Sequence, residues 1–79
     1  MKVFEISKIN LPEGAGCYAD NAFVAIDNDN NICGWESTAF VFTGIDGITA
    51  DNISTWQKNC NGMDFEKING GEIIAEVEI

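Results

Sequence analysis

The ionisable side chains of this sequence are almost all carboxylates, and the residues that enzymes usually combine with them are missing. There are 13 Asp and Glu residues against four lysines, with no Arg and no His, which gives a net charge of −9 at pH 7. Without His the chain lacks the usual general base at neutral pH, and without Arg it lacks the usual clamp for an anionic substrate. We therefore expect no enzymatic activity.

The three cysteines form neither a reactive nor a metal-binding set. Cys17, Cys33 and Cys60 are widely separated and make no C-x-x-C arrangement. A cysteine nucleophile would lack its usual His partner, and a zinc site would need a fourth ligand. We expect reduced, mostly buried thiols, no metal and no cofactor.

One stretch begins like a calcium-binding loop. Asp27, Asp29 and Asn31 alternate as the first oxygen ligands of such a loop do. The pattern then fails, because Ile32 stands at the sixth position, where Gly is required, and Thr38 at the twelfth, where a bidentate Glu is expected. This run predicts a hairpin turn instead.

The acidic balance predicts the kind of partner. Nucleic-acid phosphates and anionic membrane surfaces would repel the chain, so we expect it to bind neither. A basic protein surface would attract it, and we expect such a surface to belong to a nucleic-acid-binding complex. The alternative is that the charge only keeps a small protein soluble and monomeric.

Length and turn signals predict one domain, residues 1–79, of class α+β. A chain of 79 residues can build a single core, and no repeat or linker divides it. We expect an antiparallel sheet of about five to six short strands, with two hairpins, packed against one helix. The opening residues do not resemble a signal peptide and no apolar run reaches about 18 residues, so we expect a cytoplasmic protein.

Elements of the first half are predicted from β-forming runs between turn residues. Asp29-Asn30 is the predicted turn of the first hairpin, because Asn and Asp tolerate left-handed backbone conformations. This register places four side chains on one buried face: Val24, Ile26, Cys33 and Trp35. The predicted strands are 2–9, 22–27, 32–37 and 39–43.

A single helix is predicted over residues 49–61. Thr49 is its N-cap, and Gly62 supplies the left-handed position that ends it. Ile53, Trp56 and Cys60 have the spacing of one buried helical face, with Trp56 holding the helix to the sheet.

A second hairpin is predicted from residues 63–68 and 72–79, joined by a loop at 69–71. The register with a three-residue loop is favoured because it pairs Phe65 with Ala75 and Met63 with Val77 on the core face. The opposite face then carries the predicted partner-binding residues, which are Asp64, Glu66, Ile68, Glu72, Ile74, Glu76 and Glu78.

This acidic face is the candidate functional surface. Asp64 would lie opposite Glu76, and facing like charges destabilise a sheet, so the fold alone does not require them. Ile68 and Ile74, ringed by charge, resemble the small core of an interface with a polar rim. The alternative is a solvated face whose charges protect an edge strand from aggregation.

In size, acidity and this carboxylate face, the chain resembles the small acidic inhibitor proteins of phages and mobile elements, the anti-CRISPR and DNA-mimic type. No motif defines that class, so the resemblance assigns no functional residue. It implies an inhibitor acting in the host cytoplasm, whose acidic face competes with nucleic acid for a basic channel.

Two other functions fit the same composition. A structural or assembly accessory protein would associate through sheet edges or through Ile68, Ile74 and Phe40, as a small homo-oligomer. An immunity protein or antitoxin would neutralise a basic toxin by the same charge attraction as the inhibitor.

Overall fold

The computed structural model describes all 79 residues and contains one four-stranded antiparallel sheet with short helices packed on it. Its strands are β1 (Lys2–Ser7), β2 (Asn21–Ile26), β3 (Ile32–Ser37) and β4 (Ile73–Glu78), in the order β3-β2-β1-β4. The α-helices are α1 (Ala50–Ser54) and α2 (Phe65–Gly70). Single turns of 3-10 helix occupy Lys8–Asn10, Thr38–Phe40 and Ile45–Gly47. The α+β class is confirmed, with four strands and two short helices in place of the five to six strands and one helix expected.

Both faces of the sheet are covered by the rest of the chain at its central strands. Strand β2 contains five consecutive buried residues, which alternate between the two faces. On one face Phe4, Val24 and Trp35 form a core with Ile68 of α2. On the other, Phe23 is stacked on Trp56 at a centroid distance of 6.1 Å in a second core. The sheet is therefore the middle layer of the molecule.

The first hairpin is close to the sequence prediction. Val24 pairs with Trp35 as expected, but a bulge shifts the register and places Ile32 opposite Ile26. Cys33 therefore packs against the second core and does not share the face of Trp35. The shift arises beside the long turn, where Asn30 adopts a left-handed φ of 63°.

Asp27 stabilises this turn from its own side chain. Its Oδ1 accepts hydrogen bonds from the backbone amides of Asn31 and Asp29, both at 2.9 Å. These bonds, that of Asn31 above all, lower the pKa of the Asp27 carboxyl. The run that begins like a calcium loop is an Asx-type turn joining β2 to β3.

The predicted helix at 49–61 begins as expected and ends early. Thr49 and Asn52 form a reciprocal capping box, but α1 stops at Ser54. The chain then leaves the helix so that Gln57 can pair with Trp35 of β3 through two backbone hydrogen bonds. Trp56 is buried as predicted, whereas Cys60 packs against the opposite core, so the three-residue stripe was wrong.

Residues 63–68 do not form the predicted strand. The side chain of Asp64 accepts a hydrogen bond from the Lys67 amide at 2.8 Å and caps α2. Phe65 and Ile68, three residues apart, then face the core from one side of the helix. β4 consequently pairs with β1, and the second hairpin and its registers were wrong.

The predicted strand at 39–43 is also absent. The Ser37 hydroxyl accepts a hydrogen bond from the Ala39 amide and caps the 3-10 turn Thr38–Phe40. This cap ends pairing at β3 and turns the chain away from the sheet. No helix in the structure has the length and apolar character needed to cross a bilayer.

Candidate protein-binding surface at strand β4

Strand β4 alternates between half-buried and exposed residues. Ala75 and Val77 are half-buried, and Val77 packs against the core that contains Val3 and Trp56. The alternate positions are exposed, and they are Ile74, Glu76 and Glu78. A strand shows this two-residue alternation when one of its faces is covered and the other is open to solvent. The open face of β4 is therefore acidic.

The structure separates the seven residues of the predicted site into three groups. Strand β4 carries Ile74, Glu76 and Glu78, and the exposed Glu72 lies immediately before it. Asp64 and Glu66 are exposed at the start of α2, which is not paired with β4. Ile68 is only 1% exposed, so its predicted place on the surface was wrong. The facing pair of Asp64 and Glu76 does not exist either, because Glu76 lies opposite Phe4 of β1.

The outer edge of β4 has no strand beside it. β4 is last in the sheet order, and the Ile79 amide donates to the Met1 carbonyl oxygen at 2.8 Å. Hydrogen-bonded and non-bonded pairs alternate along an antiparallel ladder, so Val77 and Ala75 also bond to β1. The amides and carbonyls of Glu76 and Glu78 therefore point away from β1, along an open edge.

The opposite edge of the sheet is blocked at Trp35, in the middle of β3. Gln57 exchanges two backbone hydrogen bonds with Trp35 of β3, at 2.9 and 3.0 Å. The Trp35 indole donates a third, to the Asn59 carbonyl oxygen at 3.1 Å. At Gly34 a Cβ would lie 3.2 Å from the Gln57 carbonyl oxygen, so a side chain here would crowd this contact.

The carboxylates of β4 are not neutralised within the molecule. The only ion pair joins Lys67 to Asp64, at 3.9 Å, on α2. Lys2 lies opposite Glu78 in the register but makes no ion pair with it. Ten of the 13 acidic residues are exposed, since only Glu5, Asp27 and Glu36 are partly covered. The charge of the chain is thus held at the surface.

A second exposed surface consists of aromatic residues. The sequence pattern did not predict that these residues form one group. Phe42 is 99% exposed and Tyr18 80%, and Tyr18 packs edge-on against Phe40 at 5.4 Å between centroids. Phe40 and Phe42 line a cleft of about 250 Å³, together with Glu36 and Trp56. The capping signal of Ser37 could have shown that residues 39–43 leave the sheet, so that both phenylalanines are exposed. We call Tyr18, Phe40 and Phe42 the aromatic surface.

The cysteines are free thiols, each half-buried. Burial is the main cause that raises the pKa of both Cys33 and Cys60, so little thiolate is present near neutral pH. Cys17 Sγ donates to the Ala19 carbonyl oxygen at 3.3 Å. These contacts are those of packed thiols.

Comparison with known proteins gives no relative for this arrangement. No protein-family model matches the chain, no curated protein is similar to it, and no solved structure matches its fold. The surface must therefore be interpreted from its own geometry.

Proposed function

We propose that this chain is a small acidic inhibitor that binds a basic, nucleic-acid-binding protein and occludes its nucleic-acid site. The observation that supports this proposal is the exposure of Glu76 and Glu78 on the edge strand β4 with no intramolecular cation paired to them. Unpaired surface carboxylates on a rigid strand are preorganised for lysines and arginines of another protein.

Occlusion follows from competition for the same basic side chains. Glu76 and Glu78 point to one side of β4 and are separated by roughly 6.6–6.8 Å along the strand. A Lys or Arg that binds such a carboxylate is no longer free to neutralise a phosphate. The net charge of −9 adds long-range steering toward the basic groove.

The test begins with capture of partners from a host lysate on the immobilised domain, with elution by increasing salt. We expect the triple variant Glu72→Gln, Glu76→Gln and Glu78→Gln to bind a captured nucleic-acid-binding protein roughly 10- to 100-fold more weakly, at about 0.5–1 kcal/mol for each ion pair. Fluorescence anisotropy with the purified partner measures the affinity, and displacement of labelled nucleic acid measures occlusion.

A control variant separates the site from the net charge. Glu13→Gln, Asp20→Asn and Asp29→Asn remove the same three charges from exposed positions outside β4. We expect this variant to retain most of the affinity. Equal affinity of the two triple variants, or a bound partner whose nucleic acid is not displaced, would contradict the proposal.

The aromatic surface favours a second candidate function, an assembly or accessory role. Exposed aromatic residues are enriched where proteins associate, and Phe40 and Phe42 are 54% and 99% exposed. In this case we expect concentration-dependent oligomers in sedimentation velocity, lost in the double variant Phe40→Ser and Phe42→Ser. A monomer at every concentration would exclude self-assembly through this surface.

A further inference from the structure

We infer that the open edge of β4 binds its partner by strand addition, and that the segment added is an extended basic strand in which cationic and apolar residues alternate. This inference rests on the proposed function, because it specifies how the basic partner is held. Four main-chain groups carry it, the amides and carbonyls of Glu76 and Glu78, which point away from β1 and have no partner.

Main-chain pairing supplies the affinity in such a complex. An added strand lies about 4.7–4.9 Å from β4 and satisfies the outward amides and carbonyls in one step. Pairing with Lys2 to Glu5 of β1 already orders strand β4, so β4 loses little conformational entropy when a partner binds. Only the incoming segment must lose conformational freedom.

The two sides of β4 specify the side chains of the partner. On one side, cross-strand neighbours of Glu76 and Glu78 would lie about 4.5–5.5 Å from them, within the reach of a lysine or arginine. On the other side, Ala75 and Val77 are half-buried, and Val77 packs against the core that contains Val3, so apolar side chains fit there. Alternation of cation and apolar residue is the pattern that matches both sides.

The same carboxylates argue against a second copy of this chain as the occupant. Antiparallel pairing of β4 with itself about Glu76 would place Glu76 opposite Glu76. Facing like charges destabilise a sheet, so self-pairing is disfavoured while pairing with a basic strand is favoured. Charge therefore selects the occupant, and the open edge determines how it is bound.

The test removes one main-chain donor without changing any charge. Because residue 60 is a cysteine, a synthetic peptide of residues 60–79 can be ligated to residues 1–59. In this peptide the main-chain amide of Glu76 is N-methylated. The matched control carries N-methylated Gly62, which is exposed and lies outside β4 and outside the proposed site. The probe is a short peptide of alternating Lys and Val, and its affinity is measured by isothermal titration calorimetry together with amide hydrogen exchange by NMR.

We expect the peptide to slow exchange of the Glu76 and Glu78 amides in the unmodified protein. N-methylation of Glu76 should weaken binding at least tenfold, and N-methylation of Gly62 should leave it unchanged. Equal binding to both modified proteins, no binding at millimolar peptide, or protection of these amides by dimerisation in the free protein would overturn strand addition.

Failure of this inference is distinguishable from failure of the proposed function. If N-methylated Glu76 binds normally while the Gln triple variant loses the natural partner, the carboxylates act without main-chain pairing and only strand addition is refuted. If the Gln triple variant also retains the partner, the proposed function itself fails.

Discussion

Replacing Ile68 with Asp is expected to unfold the protein, whereas the same replacement at Ile74 should leave it folded. Ile68 is 1% exposed and packs in the core with Phe4 and Trp35, while Ile74 is 48% exposed. Truncating a buried Ile costs about 2–5 kcal/mol, and an unpaired buried carboxylate adds to this. The total stability of a small domain is only about 5–15 kcal/mol.

Circular dichroism during urea unfolding measures both variants. We expect Ile68→Asp to lack a cooperative transition, or to show a midpoint near zero urea, and Ile74→Asp to differ little from the parent protein. Ile68→Val is the conservative control and should remain folded. Two equally tolerated Asp variants would mean that α2 does not pack on the sheet.

Replacing Trp35 with Ala is expected to destabilise the protein by about 3–5 kcal/mol, the cost of deleting a large buried aromatic side chain. Trp35 is 1% exposed, belongs to strand β3 and pairs through its backbone with Gln57. Its loss leaves a cavity and also removes the donor to the Asn59 carbonyl oxygen. The edge closure by residues 57–59 should loosen together with the core.

The variant Trp35→Phe distinguishes these two contributions. Phenylalanine keeps most of the aromatic packing but has no N–H group, so we expect a smaller loss, with about 0.5–1.5 kcal/mol from the hydrogen bond. Urea unfolding gives the free energies, and amide exchange at Gln57 reports on the edge. A Trp35→Ala protein as stable as the parent would show that this core does not hold the fold.

The local signals in the sequence predicted the elements that are stabilised locally. The first hairpin is specified by its turn residues, and the start of α1 is specified by the Thr49 cap. The end of α1 was not predictable in this way, because the pairing of Gln57 with Trp35 is a contact between residues distant in sequence. Tertiary pairing there overrides the helical periodicity of Ile53, Trp56 and Cys60.

The error at residues 63–68 had a different cause. The apolar residues Phe65 and Ile68 are compatible with either a strand or one turn of helix, and the hairpin interpretation was favoured by Asn69-Gly70-Gly71. The deciding signal was Asp64 as an N-cap, which the strand interpretation treated as a surface charge. As a result, the acidic residues of β4 were placed correctly on an exposed strand face, but their partner strand was not identified.

The two edges of the sheet are unequal, since Gln57 pairs with β3 at one edge and no segment pairs with β4 at the other. This polarity limits the stoichiometry of any complex built by strand pairing. A sheet with two free edges could grow into a filament, whereas this sheet offers only the edge of β4. Strand pairing at the β3 edge would require residues 57–59 to unfold first. One bound strand therefore saturates the molecule, and a complex of this kind is expected to contain one copy of the chain for each strand that it captures.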